Sequence, residues 1–141
     1  MELNQVMDIE PKILLVDDEQ NILRSVEKTL FREGFEVETA GGNIEAFELL
    51  QEAITDGEPF DLVVIDLNMP DFEGKESKYA GLELLERIKT TTPGLPVIAN
   101  SAWDEVETAK QCIDKGAADY FVKGRNEEML RKIRDILGME A

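Results

Sequence analysis

The sequence predicts one α/β domain with a doubly wound parallel sheet and helices on both faces. Five short apolar runs alternate with amphipathic helical patterns along the chain. This alternation is typical of right-handed βαβ crossovers. The 141 residues are 43% hydrophobic, which fits one domain of ordinary size with a packed core.

The first predicted strand covers residues 12–16, an apolar run that ends in the acids at 17–19. The helix that follows has its apolar residues at helical spacing, and Gly34 ends it, as glycine often does just past a helix. Residues 35–39 alternate between apolar and polar types. They therefore predict a second strand with one exposed face.

Asn43 is the predicted N-cap of the second helix. The central strand covers residues 62–65, a continuous and mostly β-branched apolar run that indicates burial on both faces. This strand delivers a carboxylate, Asp66, to its carboxyl end. Pro70 cannot donate to a sheet ladder, so the strand is expected to finish before it.

Residues 71–80 are charged and show no clear period, which predicts a loop. Gly81 is expected to open the third helix, and residues 95–99 to form the fourth strand. A helix then carries Val106, Ala109, Cys112 and Ile113 and ends at Gly116, before the fifth strand at 119–122. The last helix should start near residue 126, with the following apolar residues on its buried face: Leu130, Ile133 and Leu137.

Composition restricts the classes of function. The net charge is −16, so the chain lacks the cationic excess needed to bind nucleic acid or an anionic membrane surface. No apolar run reaches transmembrane length and no signal-peptide pattern is visible, which predicts a cytoplasmic protein. The chain has no histidine and one cysteine, Cys112. That composition excludes imidazole catalysis and an internal disulfide, and argues against zinc.

Polar residues follow the ends of four predicted strands. In the strand order 2-1-3-4-5, taken from known doubly wound folds, strands 1 and 3 are neighbours and a crevice opens between them. This order brings five polar side chains to one edge of the sheet: Asp17, Asp18, Asp66, Ser101 and Lys123.

Three carboxylates that meet at one edge repel one another, by about 4 kcal/mol per pair at about 4 Å and an effective dielectric constant of about 20. A divalent cation removes this repulsion. Oxygen ligands without His or Cys point to magnesium, manganese or calcium, and few protein ligands plus phosphate oxygen and water favour magnesium. Lys123 and Ser101 add a positive charge and a hydroxyl donor that suit a phosphoryl anion.

Each of these residues has a simpler interpretation on its own. Asp18 has about even odds of being a helix N-cap. Ser101 would usually be a turn residue, Lys123 a solvated cation and Tyr120 a core residue. Their joint placement at the ends of the right strands is what favours a functional site.

With these residues in place, the sequence resembles the receiver domain of bacterial two-component response regulators, of the single-domain, chemotaxis-receiver-like kind. The resemblance covers residues 11–138, with residues 1–10 as an N-terminal extension, and implies a flavodoxin-like fold. The matching motifs are Ile-Leu-Leu-Val-Asp17-Asp18-Glu, Asp-Leu-Val-Val-Ile-Asp66-Leu-Asn-Met-Pro, Gly81-Leu-Glu-Leu-Leu, Ser101-Ala102 and Gly116-Ala-Ala-Asp-Tyr120-Phe-Val-Lys123.

The resemblance implies that Asp66 is the phosphoacceptor and takes a phosphoryl group from a histidine kinase. It also implies a magnesium site, at which manganese can substitute. Asp18 and Asp66 would be direct ligands, Asp17 would act largely through water, and Asn68 would contribute its backbone carbonyl.

The same resemblance implies a switch. Ser101 and Lys123 would hold the phosphoryl oxygens. Tyr120 would follow Ser101 and report phosphorylation to the face made by the fourth helix, the fifth strand and the fifth helix. Asn68 and Trp103 occupy positions that tune phosphoryl lifetime in this family, and Trp103 would either restrict attacking water or cover the edge of the crevice.

Two further departures from the family pattern concern backbone segments. The connection at residues 71–80 is longer than usual, and would either affect kinase choice and water access or be a tolerated surface insertion. Gly124 stands where the family usually has a cis-proline. A cis bond before a residue other than proline costs about 2.5–4 kcal/mol, so a trans bond is expected here.

The predicted function is a phosphorylation-dependent signalling switch, not an enzyme, with a histidine kinase or phosphotransfer protein as donor and an unknown downstream protein. Two alternatives stay open. A haloacid-dehalogenase-like phosphatase also uses a strand-end aspartate and magnesium, but it needs a second aspartate where this chain has Asn68. A pseudo-receiver would bind partners without phosphorylation.

Overall fold

The computed structural model describes residues 10–70, 76–77, 80–102 and 106–139. Within them, a five-stranded sheet is flanked by five helices. The strands are β1 (Lys12–Val16), β2 (Glu36–Ala40), β3 (Leu62–Asp66), β4 (Val97–Ser101) and β5 (Asp119–Val122). The helices are α1 (Gln20–Arg32), α2 (Asn43–Thr55), α3 (Ala80–Thr91), α4 (Val106–Asp114) and α5 (Asn126–Leu137).

The strand order is β2-β1-β3-β4-β5 and every pairing in this sheet is parallel, which confirms the predicted fold class and order. β3 lies between β1 and β4. Val16 pairs with Ile65, and Asp66 pairs with Asn100. The carboxyl ends of β1, β3 and β4 therefore lie side by side at one edge.

Alternate residues of the strands feed two separate cores, one on each face of the sheet. On one face, residues such as Val63 and Ile65 pack with α2, α3 and α4. On the other, Leu62 and Val64 pack with α1 and α5. All five residues of β3 are buried, as predicted for a central strand covered on both faces.

Gly81 allows α3 to approach the end of β3 closely. A Cβ atom at this position would lie 2.6 Å from the backbone oxygen of Asp66 and 2.6 Å from the Cα atom of Leu67. The backbone N–H of Gly81 points to the carbonyl oxygen of Leu67 at 3.4 Å. The glycine therefore fixes the helix directly against the strand that carries Asp66.

Segment boundaries differ from prediction in several places. β2 spans Glu36–Ala40 rather than residues 35–39. β4 starts at Val97 rather than at residue 95, because Pro96 has no N–H for the ladder and offers its carbonyl to the Val63 N–H at 3.1 Å. Residues 71–80 are not wholly a loop. Glu76–Ser77 pairs antiparallel with Met69–Pro70, and Ala80 is already helical; residues 71–75 and 78–79 lie outside the described part.

The predicted N-cap role of Asn43 is wrong. Gly42 occupies the N-cap position, and Asn43 is the first residue of α2. The Glu45 carboxylate accepts the N–H of Gly41 at 2.7 Å, which ties the first turn of the helix to the residue before its N-cap. The buried side chain of Asn43 instead donates to the carbonyl oxygen of Ala80 at 3.0 Å and ties α2 to α3.

The helical faces also differ in part from prediction. α4 has nine residues and buries Cys112, whereas Val106 is 85% exposed and Ile113 is 48% exposed. The core therefore reaches few positions of this short helix. In α5 the fully buried residues are Met129 and Ile133, and the expected Leu130 and Leu137 are partly buried.

No helix among residues 10–70, 80–102 and 106–139 combines the length and the apolar character that crossing a membrane requires.

Candidate functional site

Three carboxylates gather at the carboxyl edge of the sheet. Asp17 and Asp18 follow β1, and Asp66 ends the neighbouring strand β3. One oxygen atom from each lies within 4.8 Å of the other two. Asp66 is fully buried and Asp17 nearly so, while Asp18 is the most accessible of the three. The strand order thus brings together the three acids that the sequence singled out.

Lys123, which directly follows β5, reaches back across this edge. Its Nζ atom lies 3.0 Å from Oδ2 of Asp17 and 3.0 Å from Oδ2 of Asp66. It also lies 3.1 Å from Oε1 of Glu19. One ammonium therefore faces three carboxylates, and the interpretation of Lys123 as a solvated cation is wrong.

The backbone after Lys123 takes a sharp turn. No peptide bond in the described residues is cis, so the expected trans bond before Gly124 is confirmed. Gly124 has φ +91°, in the left-handed region that glycine adopts without strain. A glycine at this point lets the chain turn while Lys123 still reaches Asp66.

The local environment changes the acidity of two of these groups. Burial raises the pKa of Asp66 from its ordinary value of 3.8 to about 7, and the charge of Asp17 raises it as well. The N–H of Asn68 and the ammonium of Lys123 act in the opposite direction. Burial would lower the pKa of Lys123, but hydrogen bonds and charges from Asp17 and Asp66 outweigh it and raise that pKa above its usual value.

A hydrogen-bonded link joins β3 to β4 beside Asp66. The backbone N–H of Asn68 donates to Oδ1 of Asp66 at 3.0 Å. The hydroxyl of Ser101, the last residue of β4, donates to Oδ1 of the Asn68 side chain at 3.1 Å. Ser101 is 1% exposed. The hydroxyl therefore lies in the interior, bonded to the side chain of a residue whose backbone N–H is bonded to Asp66.

The donor set fits a hard divalent cation. Asp17, Asp18 and Asp66 supply oxygen ligands, and clustered carboxylates with no sulfur or imidazole suit Mg²⁺ or Mn²⁺. Burial raises the pKa of Asp66, and the charge of Asp17 adds to this effect, so a cation at this edge would relieve the cost of an ionised Asp66.

The remaining predicted residues take different places. α1 has Glu19 rather than Asp18 at its N-cap, so the cap interpretation of Asp18 is wrong. Tyr120 lies on β5, pairs with Ala99 and packs, partly buried, against the core beneath α3 and α4. Trp103 lies outside the described residues.

Two contacts were not predicted. Glu19 was noted as part of the acid run after β1 but not as a partner of Lys123. Its backbone N–H donates to Oδ1 of Asp17 at 2.9 Å, which holds Glu19 close to the site. The side chain of Asn68 was not expected to bind Ser101. The signal for both was their position one or two residues beyond a strand-end acid.

Comparison with known proteins agrees on one family. The model of the response regulator receiver domain matches residues 13–134. The alginate biosynthesis transcriptional regulatory protein AlgB of Pseudomonas putida is 35% identical over 129 residues, which cover 92% of this chain and 26% of that protein. The chain spans about a quarter or less of the first few curated relatives it matches.

Solved structures show the same similarity. A CheY-like receiver domain protein from Methanospirillum hungatei has a TM-score of 0.76 and 30% identity, covering 92% of this chain and 95% of that one. A CheX–CheY–BeF₃–Mg²⁺ complex from Borrelia burgdorferi gives a TM-score of 0.77 and 25% identity, covering 94% of this chain and 93% of the other.

Proposed function

Because the chain belongs to the response regulator receiver domain family, we propose that it is a phosphorylation-dependent switch with Asp66 as the acceptor. The observation that carries this proposal is the setting of Asp66. Its carboxylate is fully buried, pairs with Lys123 at 3.0 Å and shares the sheet edge with Asp17 and Asp18. Such a carboxylate has a neighbouring cation to stabilise a transferred phosphoryl group.

The proposed donor is a phosphohistidine on a histidine kinase or phosphotransfer protein, since this chain has no histidine. A carboxylate oxygen of Asp66 attacks the phosphorus atom and forms an O–P bond. The N–P bond of the donor breaks, and its electron pair returns to the imidazole nitrogen. The product is an acyl phosphate on Asp66.

We assign the metal site to Asp17, Asp18 and Asp66, with the backbone carbonyl of Asn68 as a further ligand. Mg²⁺, or Mn²⁺ in its place, would neutralise negative charge shared between the carboxylates and the phosphoryl oxygens. The similar CheX–CheY complex from Borrelia burgdorferi contains Mg²⁺ and BeF₃, which supports the proposal that this chain binds a metal and a phosphoryl group.

We propose that Lys123 and Ser101 bind the phosphoryl oxygens. Lys123 already lies 3.0 Å from Asp66, and Ser101 ends the adjacent strand. Tyr120, on β5 next to β4, would pass a shift of Ser101 to the face made by α4, β5 and α5. α4 exposes Val106 and Ile113, which we propose as apolar contacts for a downstream protein.

Intact mass after incubation with acetyl phosphate and Mg²⁺ tests the proposal. We expect a gain of about 80 Da, the mass of one phosphoryl group, in the wild type and none in Asp66→Asn. Asp114→Asn, exposed at the end of α4, is the matched control and should still gain mass. No gain in the wild type would favour a pseudo-receiver. Steady release of phosphate from a monoester would favour a phosphatase.

A further inference from the structure

The hydrogen bond between Ser101 and Asn68 places the switch hydroxyl in a defined resting position. Oγ of Ser101 donates to Oδ1 of Asn68 at 3.1 Å. A serine hydroxyl carries one proton and can donate one hydrogen bond at a time. While it donates to Asn68, Ser101 cannot donate to a phosphoryl oxygen on Asp66.

The acceptor belongs to a residue that is itself fixed. The backbone N–H of Asn68 donates to Oδ1 of Asp66 at 3.0 Å. The backbone that carries the amide side chain is therefore held by the reacting carboxylate. Ser101 is 1% exposed, so water is poorly placed to replace Asn68 as its partner. Breaking the bond without a new acceptor is therefore unfavourable.

We propose that the side chain of Asn68 is a positioning residue that holds Ser101 in the unphosphorylated state and competes with the phosphoryl group for its hydroxyl proton. This inference rests on the proposed function and adds a regulatory role to it. The backbone N–H of Asn68 donates to Asp66, whereas its side chain opposes the movement of Ser101 toward a phosphoryl group. Phosphorylation then has to break one hydrogen bond of Ser101 before it makes another.

The affinity for beryllofluoride, a phosphoryl mimic, tests this competition in the full chain with saturating Mg²⁺. Asn68→Ala keeps the backbone N–H and carbonyl but removes the side-chain acceptor. We expect it to bind beryllofluoride about three- to tenfold more tightly than the wild type, the range that corresponds to one buried hydrogen bond. ¹⁹F NMR of the bound mimic measures binding, and the emission of the single tryptophan is followed alongside it.

The double variant separates this role from a general structural one. In a Ser101→Ala background, Asn68→Ala should no longer increase the affinity, because the bond is already absent. Without Mg²⁺ or mimic, the losses of thermal stability from the two single substitutions should be less than additive in the double variant. Asn21→Ala, exposed on α1, is the control and should leave the affinity unchanged.

The outcomes distinguish the two proposals. If the wild type binds no beryllofluoride, the proposed function fails. Additive losses of stability would then overturn the link between Ser101 and Asn68 as well, whereas non-additive losses would support it. If the wild type binds but Asn68→Ala binds equally or more weakly, the competition is overturned. An equal gain in the Ser101→Ala background would also overturn it.

Discussion

The Nζ atom of Lys123 lies 3.0 Å from Oδ2 of Asp66, although 57 positions separate them in the chain. Parallel strands bring them together, because β3 and β5 both end at the same edge of the sheet. The same ammonium also contacts Asp17 and Glu19. Lys123 therefore neutralises part of the negative charge that would bind a metal ion.

Replacing Lys123 with Gln should have opposite effects on stability and on metal binding. The metal-free protein should lose about 3–5 kcal/mol of unfolding free energy, since a largely buried ion pair loses its cation. The affinity for Mg²⁺ should rise, because a positive charge beside its ligands is gone. Chemical denaturation and calorimetric titration at pH 8 measure the two effects.

Lys132→Gln is the matched control for Lys123. Lys132 also forms an ion pair, at 2.8 Å with Asp119, and donates to the carbonyl oxygen of Tyr120. Its loss should lower stability and leave Mg²⁺ affinity unchanged. A fall in Mg²⁺ affinity for Lys123→Gln would show that the lysine orders the ligands more than it repels the metal.

The pH dependence of stability should reflect the raised pKa of Asp66. The folded protein holds this proton more tightly than the unfolded chain does, since burial raises the pKa from 3.8 to about 7. The resulting stability is fully present below pH 3.8 and is lost as the pH rises through about 7. In thermal melts without metal, the melting temperature of Asp66→Asn relative to that of the wild type should therefore rise between pH 5 and pH 8.

Metal binding should depend on the protonation of the same carboxylate. A cation and a proton compete for the Asp66 carboxylate, so Mg²⁺ affinity should fall as the pH drops below about 7. Proton release on adding Mg²⁺ at pH 6, measured in two buffers of different ionisation enthalpy, checks this. Affinity that stays constant from pH 8 to pH 5 would contradict it.

Asp18→Ala should weaken Mg²⁺ binding and slow phosphorylation while leaving the metal-free fold intact. The substitution removes one charge from a repelling group of three, so stability without metal should hold or rise. Thermal melts with and without Mg²⁺ are the measurement. A clear loss of stability in the metal-free protein would mean that Asp18 supports the start of α1 after all.

Gly81→Ala should destabilise the protein by about 1–3 kcal/mol, the usual range for overpacking a close contact. The new Cβ would lie 2.6 Å from backbone atoms at the end of β3, which have little room to move. Phosphorylation should slow as well, since Asp66 belongs to that backbone. Gly94→Ala, with no atom within 4 Å of its Cβ position, should change neither property.

The sequence predicted which residues reach the site because a strand end is a strong signal. Apolar runs stop abruptly at Asp17, Asp66 and Lys123, and a parallel sheet gathers such ends at one edge. What it could not predict was how side chains choose partners there. Ser101 ends β4 and Asn68 follows the end of β3, and side-chain rotamers decide their contact.

Local rules failed where a tertiary contact competed with them. Asn43 has good N-cap chemistry, yet its amide binds the carbonyl of Ala80 in the neighbouring helix. The pairing of Met69–Pro70 with Glu76–Ser77 has two residues on each side. That is too short to produce a periodic pattern, so a loop was the natural prediction for the second pair.

Backbone contacts bring the two ends of the connection between β3 and α3 close together. Leu67 and Gly81 are in backbone contact, and inside that point Pro70 pairs with Glu76. Because both anchors are set by the backbone, extra residues between them would add mainly closure entropy, about 0.6 kcal/mol for each doubling of length. Engineers could therefore splice a fluorescent reporter between residues 70 and 76, a few positions from Asp66, and convert the protein into a biosensor.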